Sequence, residues 1–102
     1  MLRLGLLARL EAKPGEADAL AAFLAQALQL ANQETTTPVW FALRLGVTTF
    51  AIFDAFQDEA GRQHHLNGAI AKALMEQGAS LLATPPVIEP VDVLGAKVSI
   101  LR

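Results

Sequence analysis

Two neighbouring β-rich segments, residues 39–45 and 48–56, flank Gly46 and are apolar on both sides. Few folds accommodate that. The segments read as a hairpin. A two-residue loop at Gly46-Val47 sets Leu45 opposite Thr48, Leu43 opposite Phe50, Phe41 opposite Ile52 and Val39 opposite Asp54. One face then carries Val39, Phe41, Leu43, Phe50, Ile52, Asp54 and Phe56, and the other Trp40, Ala42, Arg44, Ala51, Phe53 and Ala55. A slip of one residue would exchange these partners. A sheet that is apolar on both sides must be covered on both sides. The helices of so short a chain cover one side. The second cover is expected to be another copy of the sheet, in a homodimer.

The flanking segments fit this sheet. Residues 2–12 alternate, with Leu4, Leu6, Ala8 and Leu10 on one face, as a half-buried strand does. Pro14-Gly15 ends it. Residues 16–34 carry Leu20, Phe23, Leu24, Ala27, Leu30 and Ala31 at helical spacing, with Glu16 and Asp18 in the first turn, where the helix dipole favours acids. Asp58 is a good N-cap for a helix through Leu66. Asn67-Gly68 breaks it, and a second helix with Ile70, Ala73, Leu74 and Leu81 runs to Thr84-Pro85-Pro86. Residues 87–94 read as the last strand. Pro90 has no N–H to give a ladder, which places that strand at an edge. Beyond Gly95, Val98, Ile100 and Leu101 could add a short strand to a partner chain. Strand, helix, strand, strand, helix pair, strand is the split βαβ order of an α+β, ferredoxin-like antiparallel sheet. It spans residues 1–102 as one domain.

Composition excludes several classes. In 102 residues, 53% hydrophobic and 18% charged is not the balance of a disordered chain. With 10.9 kDa and a mean hydropathy of +0.38, the apolar content exceeds what a monomer easily hides, which again points to an oligomer. The net charge is −2 and the eight Lys and Arg are scattered, against a nucleic-acid partner. No apolar run approaches the roughly 18 residues of a membrane span. The N-terminus lacks a small-residue cleavage site, and there is no Cys for disulfides, thiolate chemistry or zinc. A cytoplasmic location is the expectation.

Phosphate-loop, nucleophile-elbow, dinucleotide and zinc-protease motifs are absent. The candidate chemistry is therefore sparse. His64 and His65 are adjacent and diverge by about 100° on a helix, so they do not chelate one ion together. His65 has the small residues Gly61 and Ala69 a turn away on either side, which leaves room for a ligand. Asp54 stands among Phe50, Ile52 and Phe56. Buried there, its carboxylate needs a partner or a raised pKa. Otherwise it reaches solvent or pairs with Arg9 or Arg62. Phe41, Phe50 and Phe56 form either an aromatic pocket or plain core. Trp40 and Phe53 read as interface core or, second, as an aromatic platform for substrate, and Arg9 and Arg44 as rim or intersubunit ion-pair residues or, second, as a substrate clamp. No metal site is expected.

LARLEAKPG at residues 7–15, FAIFDAFQDEAGRQHHLNGAIAKAL at residues 50–74 and LLATPPVIEPVDVL at residues 81–94 together resemble the antibiotic biosynthesis monooxygenase (ABM) domain. Phe56, Asp58, Glu59, Ala60, His65 and Leu66 match its pattern in order, and the likeness runs over about residues 3–95. The resemblance implies a dimeric α+β barrel with a cleft between sheet and helices. It also implies oxygenation of a small aromatic quinol or phenol by O₂ without metal, flavin or haem. It makes His65 and Asp54 the catalytic candidates, and Phe41, Phe50, Phe56 and His64 the substrate-binding ones. Three departures stand out. Phe56 replaces a common Trp, Gly68-Ala69-Ile70 replaces a second His, and Ala8-Arg9 replaces the first-strand Asn of haem-degrading relatives. The alternative is a non-catalytic dimeric barrel that binds a small apolar metabolite.

Overall fold

The computed structural model describes residues 1–99. The chain runs β1 (Leu4–Glu11), α1 (Ala17–Gln33), β2 (Val39–Arg44), β3 (Thr49–Phe56), α2 (Glu59–Leu66), α3 (Ala69–Leu81) and β4 (Val87–Asp92). The four strands form one antiparallel sheet in the order β2-β3-β1-β4, the ferredoxin-like arrangement, with β4 at an edge. Pro90 lies on that edge strand opposite Leu6, where a missing N–H costs no second ladder. Ile100 and Leu101, two of the three residues expected to extend the sheet, lie outside the described residues.

One sheet face packs under the helices. Leu6, Ala8 and Leu10 of β1 pair with Asp54, Ile52 and Phe50 of β3, and all six are buried. Leu20, Leu24, Ala27 and Ala31 recur at helical spacing on α1 and close over them, joined by Ile70, Leu74 and Leu81 of α3. The α2 start is capped as expected: the Asp58 carboxylate accepts from the Gly61 amide at 2.8 Å.

The opposite face has no helix on it. Phe41 is 55% exposed there, and Leu43 and Val87 are also exposed. One glycine matters to the sheet. A Cβ on Gly5 would stand 2.8 Å from the Asp54 carbonyl oxygen and 3.0 Å from Val91, so only Gly lets β1 run this close beside Asp54.

The hairpin register differs from the expectation by one residue. Arg44 pairs with Phe50, Ala42 with Ile52 and Trp40 with Asp54. The connection is longer than two residues: the Leu45 and Gly46 amides both donate to the Thr49 carbonyl. Because both faces are apolar, hydrophobic pattern does not select the register. Polar contacts at the turn favour the observed one. The Arg44 guanidinium donates to the Gly46 and Val47 carbonyls at 3.1 and 2.8 Å and lies 4.9 Å from the Phe50 ring centre. Thr48 and Thr49 donate to the Glu11 carboxylate at 2.5 and 2.6 Å. The slip carries Trp40 to the helix-covered face and Phe41 to the open one.

Candidate functional site

The slip also decides what surrounds Asp54. Its carboxylate is 2% exposed on the covered face, beside Trp40 on β2. Neither Arg9 nor Arg62 meets it. Its partner is His65, on the last turn of α2, whose Nε2 lies 3.0 Å from Asp54 Oδ2. The other ring nitrogen, Nδ1, lies 2.6 Å from Oε1 of Glu34, the residue that ends α1. Thr37, buried in the α1–β2 turn, donates to the same Glu34 oxygen at 2.7 Å and stands 3.5 Å from Nδ1. The Phe56 ring, fully buried, packs on the imidazole with centres 5.5 Å apart.

This geometry fixes the charge on His65. A neutral imidazole has one N–H, and here each ring nitrogen faces a carboxylate, so only the imidazolium donates to both. Its pKa follows. Burial pulls it down, but the hydrogen bonds to Asp54 and Glu34 and the charges of both outweigh burial and lift it from 6.5 to about 9. The C-terminal end of α2 also favours a cation. His65 is thus a hydrogen-bond donor at neutral pH, and proton acceptance falls to the carboxylates. With both carboxylates ionised, the buried triad carries one net negative charge.

The triad is incompletely satisfied. Asp54 Oδ1, Glu34 Oε2 and the Trp40 indole nitrogen are buried without a hydrogen-bond partner among the described residues. Native interiors rarely leave such atoms unpaired, and all three belong to residues in or beside the triad.

The room expected beside His65 is taken by the chain itself. A Cβ on Gly61 would lie 3.0 Å from the Thr36 carbonyl, so the α1–β2 turn closes against α2. Outside that turn lies a small polar hollow of about 140 Å³, lined by Thr35, Thr36, Pro38, Gln57, Asp58 and Gly61. A larger apolar groove of about 510 Å³ lies elsewhere, between α3 and β4, with Leu66, Leu74, Met75, Leu82, Pro86 and Ile88 on its walls and no ionisable side chain. The triad does not line it.

The remaining sequence candidates scatter. Phe56 touches His65. Phe50 is buried in the main apolar core, six residues before Phe56 on β3, and Arg44 covers it. His64 is exposed, because its neighbour on α2 turns inward. Phe41 faces the open side of the sheet, a consequence of the register. The sequence pointed to neither Glu34 nor Thr37, and it placed Trp40 in the interface core. Glu34 reads as the last residue of the first helix, and only the slip brings Trp40 beside Asp54. Among the described residues no group of three or more His, Asp and Glu is arranged to hold a metal ion, since both nitrogens of His65 are already taken.

With the fold and this triad in view, the relatives can be placed. The structure matches that of a Nitrosomonas europaea protein of unknown function with a TM-score of 0.96 and 60% identity, covering 98% of this chain and 97% of that one. The chain belongs to one family with that protein. Its fold is the ABM fold. A candidate antibiotic biosynthesis monooxygenase from Caulobacter crescentus superposes with a TM-score of 0.77 at 20% identity, over 92% of each chain. A further antibiotic biosynthesis monooxygenase superposes at 0.76 with 14% identity, over 90% of this chain and 99% of that one. At such identities the ABM likeness is one of fold. No protein-family model matches the sequence, and no curated protein matches it. No helix among the described residues is long and apolar enough to cross a membrane.

Proposed function

We propose that this ABM-fold protein is a cofactor-independent monooxygenase of a small aromatic quinol or phenol, working as a homodimer. One observation carries the reading: Asp54 presents a buried, unpartnered carboxylate oxygen while an imidazolium holds the other. The free oxygen accepts the phenolic proton, which neutralises the net charge of the triad. His65 positions Asp54 and balances its charge before the proton arrives. The phenolate, electron-rich at its ortho and para carbons, then reduces O₂. Oxygen adds at one of these carbons that bears hydrogen and takes back the proton held on Asp54 to give a hydroperoxide; the carbon's own hydrogen leaves as a proton, the O–O bond breaks, and quinone and water are released. One oxygen atom enters the product and the other leaves as water. The chain supplies orientation, water exclusion and the proton acceptor. The exposed apolar face around Phe41, Leu43 and Val87 supports a second copy as its cover.

Oxygen uptake by the purified protein against a panel of hydroquinones and naphthols tests this. Uptake above autoxidation, with quinone product, is expected. Uptake at the autoxidation rate across the panel counts against the reading.

A second reading rests on the α3–β4 groove. It is apolar, free of titratable groups and separate from the triad, as suits a non-catalytic binder of a small apolar metabolite. Such a protein would retain a ligand through purification and form no product.

A further inference from the structure

Trp40 is expected first in the interface core, yet its indole N–H is one of the three buried polar atoms without a partner. It pairs across the β2–β3 ladder with Asp54, whose Oδ1 is another. Directly opposed residues on one sheet face have Cβ atoms about 5 Å apart. So an unmatched donor and an unmatched acceptor, both desolvated, belong to one cross-strand pair on the covered face and do not bond each other. Each is left without the hydrogen bond that its burial calls for. The third orphan, Glu34 Oε2, lies on the Nδ1 side of the imidazole, away from the Asp54 side, and a Cβ on Gly68 would sit 3.2 Å from it at the start of α3. It does not share a ligand atom with the other two.

One small group completes a donor–acceptor pair of this kind: a hydroxyl, which accepts from the indole through a lone pair and donates its hydrogen to the carboxylate. An ether accepts but cannot donate, and a phenolate cannot donate either. We propose that Trp40 Nε1 and Asp54 Oδ1 form a binding site for a single hydroxyl group, and that this donor–acceptor pair, with Asp54 requiring a donated hydrogen, makes the site selective for neutral hydroxyarenes. This builds on the reading of Asp54 as proton acceptor. Trp40 is the positioning residue. It holds the oxygen while Asp54 takes the hydrogen, and its N–H remains on the oxygen as negative charge develops there.

Trp40 is the only tryptophan, so the ¹⁵N-labelled protein gives a single indole cross-peak. The test titrates that peak with p-cresol and with 4-methylanisole at millimolar concentration. The two probes share a ring and differ in the hydroxyl hydrogen. The expected result is a saturable shift with p-cresol and at least about tenfold weaker binding of the ether, the size of one lost buried hydrogen bond. In Asp54→Ala, which keeps the indole peak and removes the acceptor, the preference should collapse to less than about threefold. The wild-type comparison stands alone if that variant fails to fold. Equal affinity for both probes overturns the proposal. So does an indole peak that neither probe moves, which leaves the pair to water. A cresol-specific shift without oxygen uptake sinks the oxygenase reading and keeps the hydroxyl site. Uptake without the shift does the reverse.

Discussion

Raising the pH should destabilise this protein through His65. The folded state holds the imidazolium between two carboxylates, so its pKa rises from 6.5 to about 9. A group with a higher pKa folded than unfolded contributes its full stabilisation below the unfolded value and loses it as pH rises through the folded one. The window is therefore pH 6.5 to just above 9. The rise corresponds to about 3 kcal/mol, and the His65 side chain is only 8% exposed, so solvent screens little of it. For a domain this small, that is on the order of 10–20 °C in Tm. Urea unfolding of wild type and His65→Gln, at fixed protein concentration, isolates this contribution. The stability gap between the two should narrow by about 3 kcal/mol between pH 6 and pH 10. The reasoning fails if the gap is constant with pH, or if the His65 ring titrates near 6.5 by NMR.

Other consequences are local. Asp58→Ala should cost about 1 kcal/mol in chemical denaturation, because the Gly61 amide loses its only side-chain acceptor at the start of α2. Gly5→Ala should cost about 1–3 kcal/mol, since its Cβ would meet the Asp54 carbonyl at 2.8 Å; unchanged stability would mean β1 and β3 separate freely. Phe41→Glu, on the open sheet face, should convert a dimer to monomer in sedimentation velocity without unfolding the chain. An unchanged sedimentation coefficient would contradict a dimer formed through this face.

The sheet order was legible because each strand and helix carries its own signal. Examples are the alternation of Leu4, Leu6, Ala8 and Leu10, the spacing of Leu20, Leu24, Ala27 and Ala31, the Asp58 cap, and Pro90 confined to an edge. The hairpin register was not legible. Apolar residues on both faces satisfy either register, and of the deciding contacts those of Arg44 lie within the turn while those of Glu11 come from another strand. That single slip carried Trp40 into the site and Phe41 out of it. Asp54 stood out as a carboxylate among Phe50, Ile52 and Phe56, and His65 as an imidazole with small residues a turn away on either side. Glu34 did not, because a glutamate at a helix end is ordinary until the fold brings α1 and α2 together. Its contact with His65 spans 31 residues of sequence, a distance no local pattern encodes.

The central claim is that Asp54, held by His65, accepts the substrate proton. The direct measurement is oxygen uptake with a panel phenol by wild type and Asp54→Asn, each verified as folded by circular dichroism. The account predicts a loss of at least about 10²-fold in kcat for the variant, the scale of a positioned base. Turnover within a fewfold of wild type would remove Asp54 from the reaction, leaving the triad as a structural clamp between α1, α2 and β3.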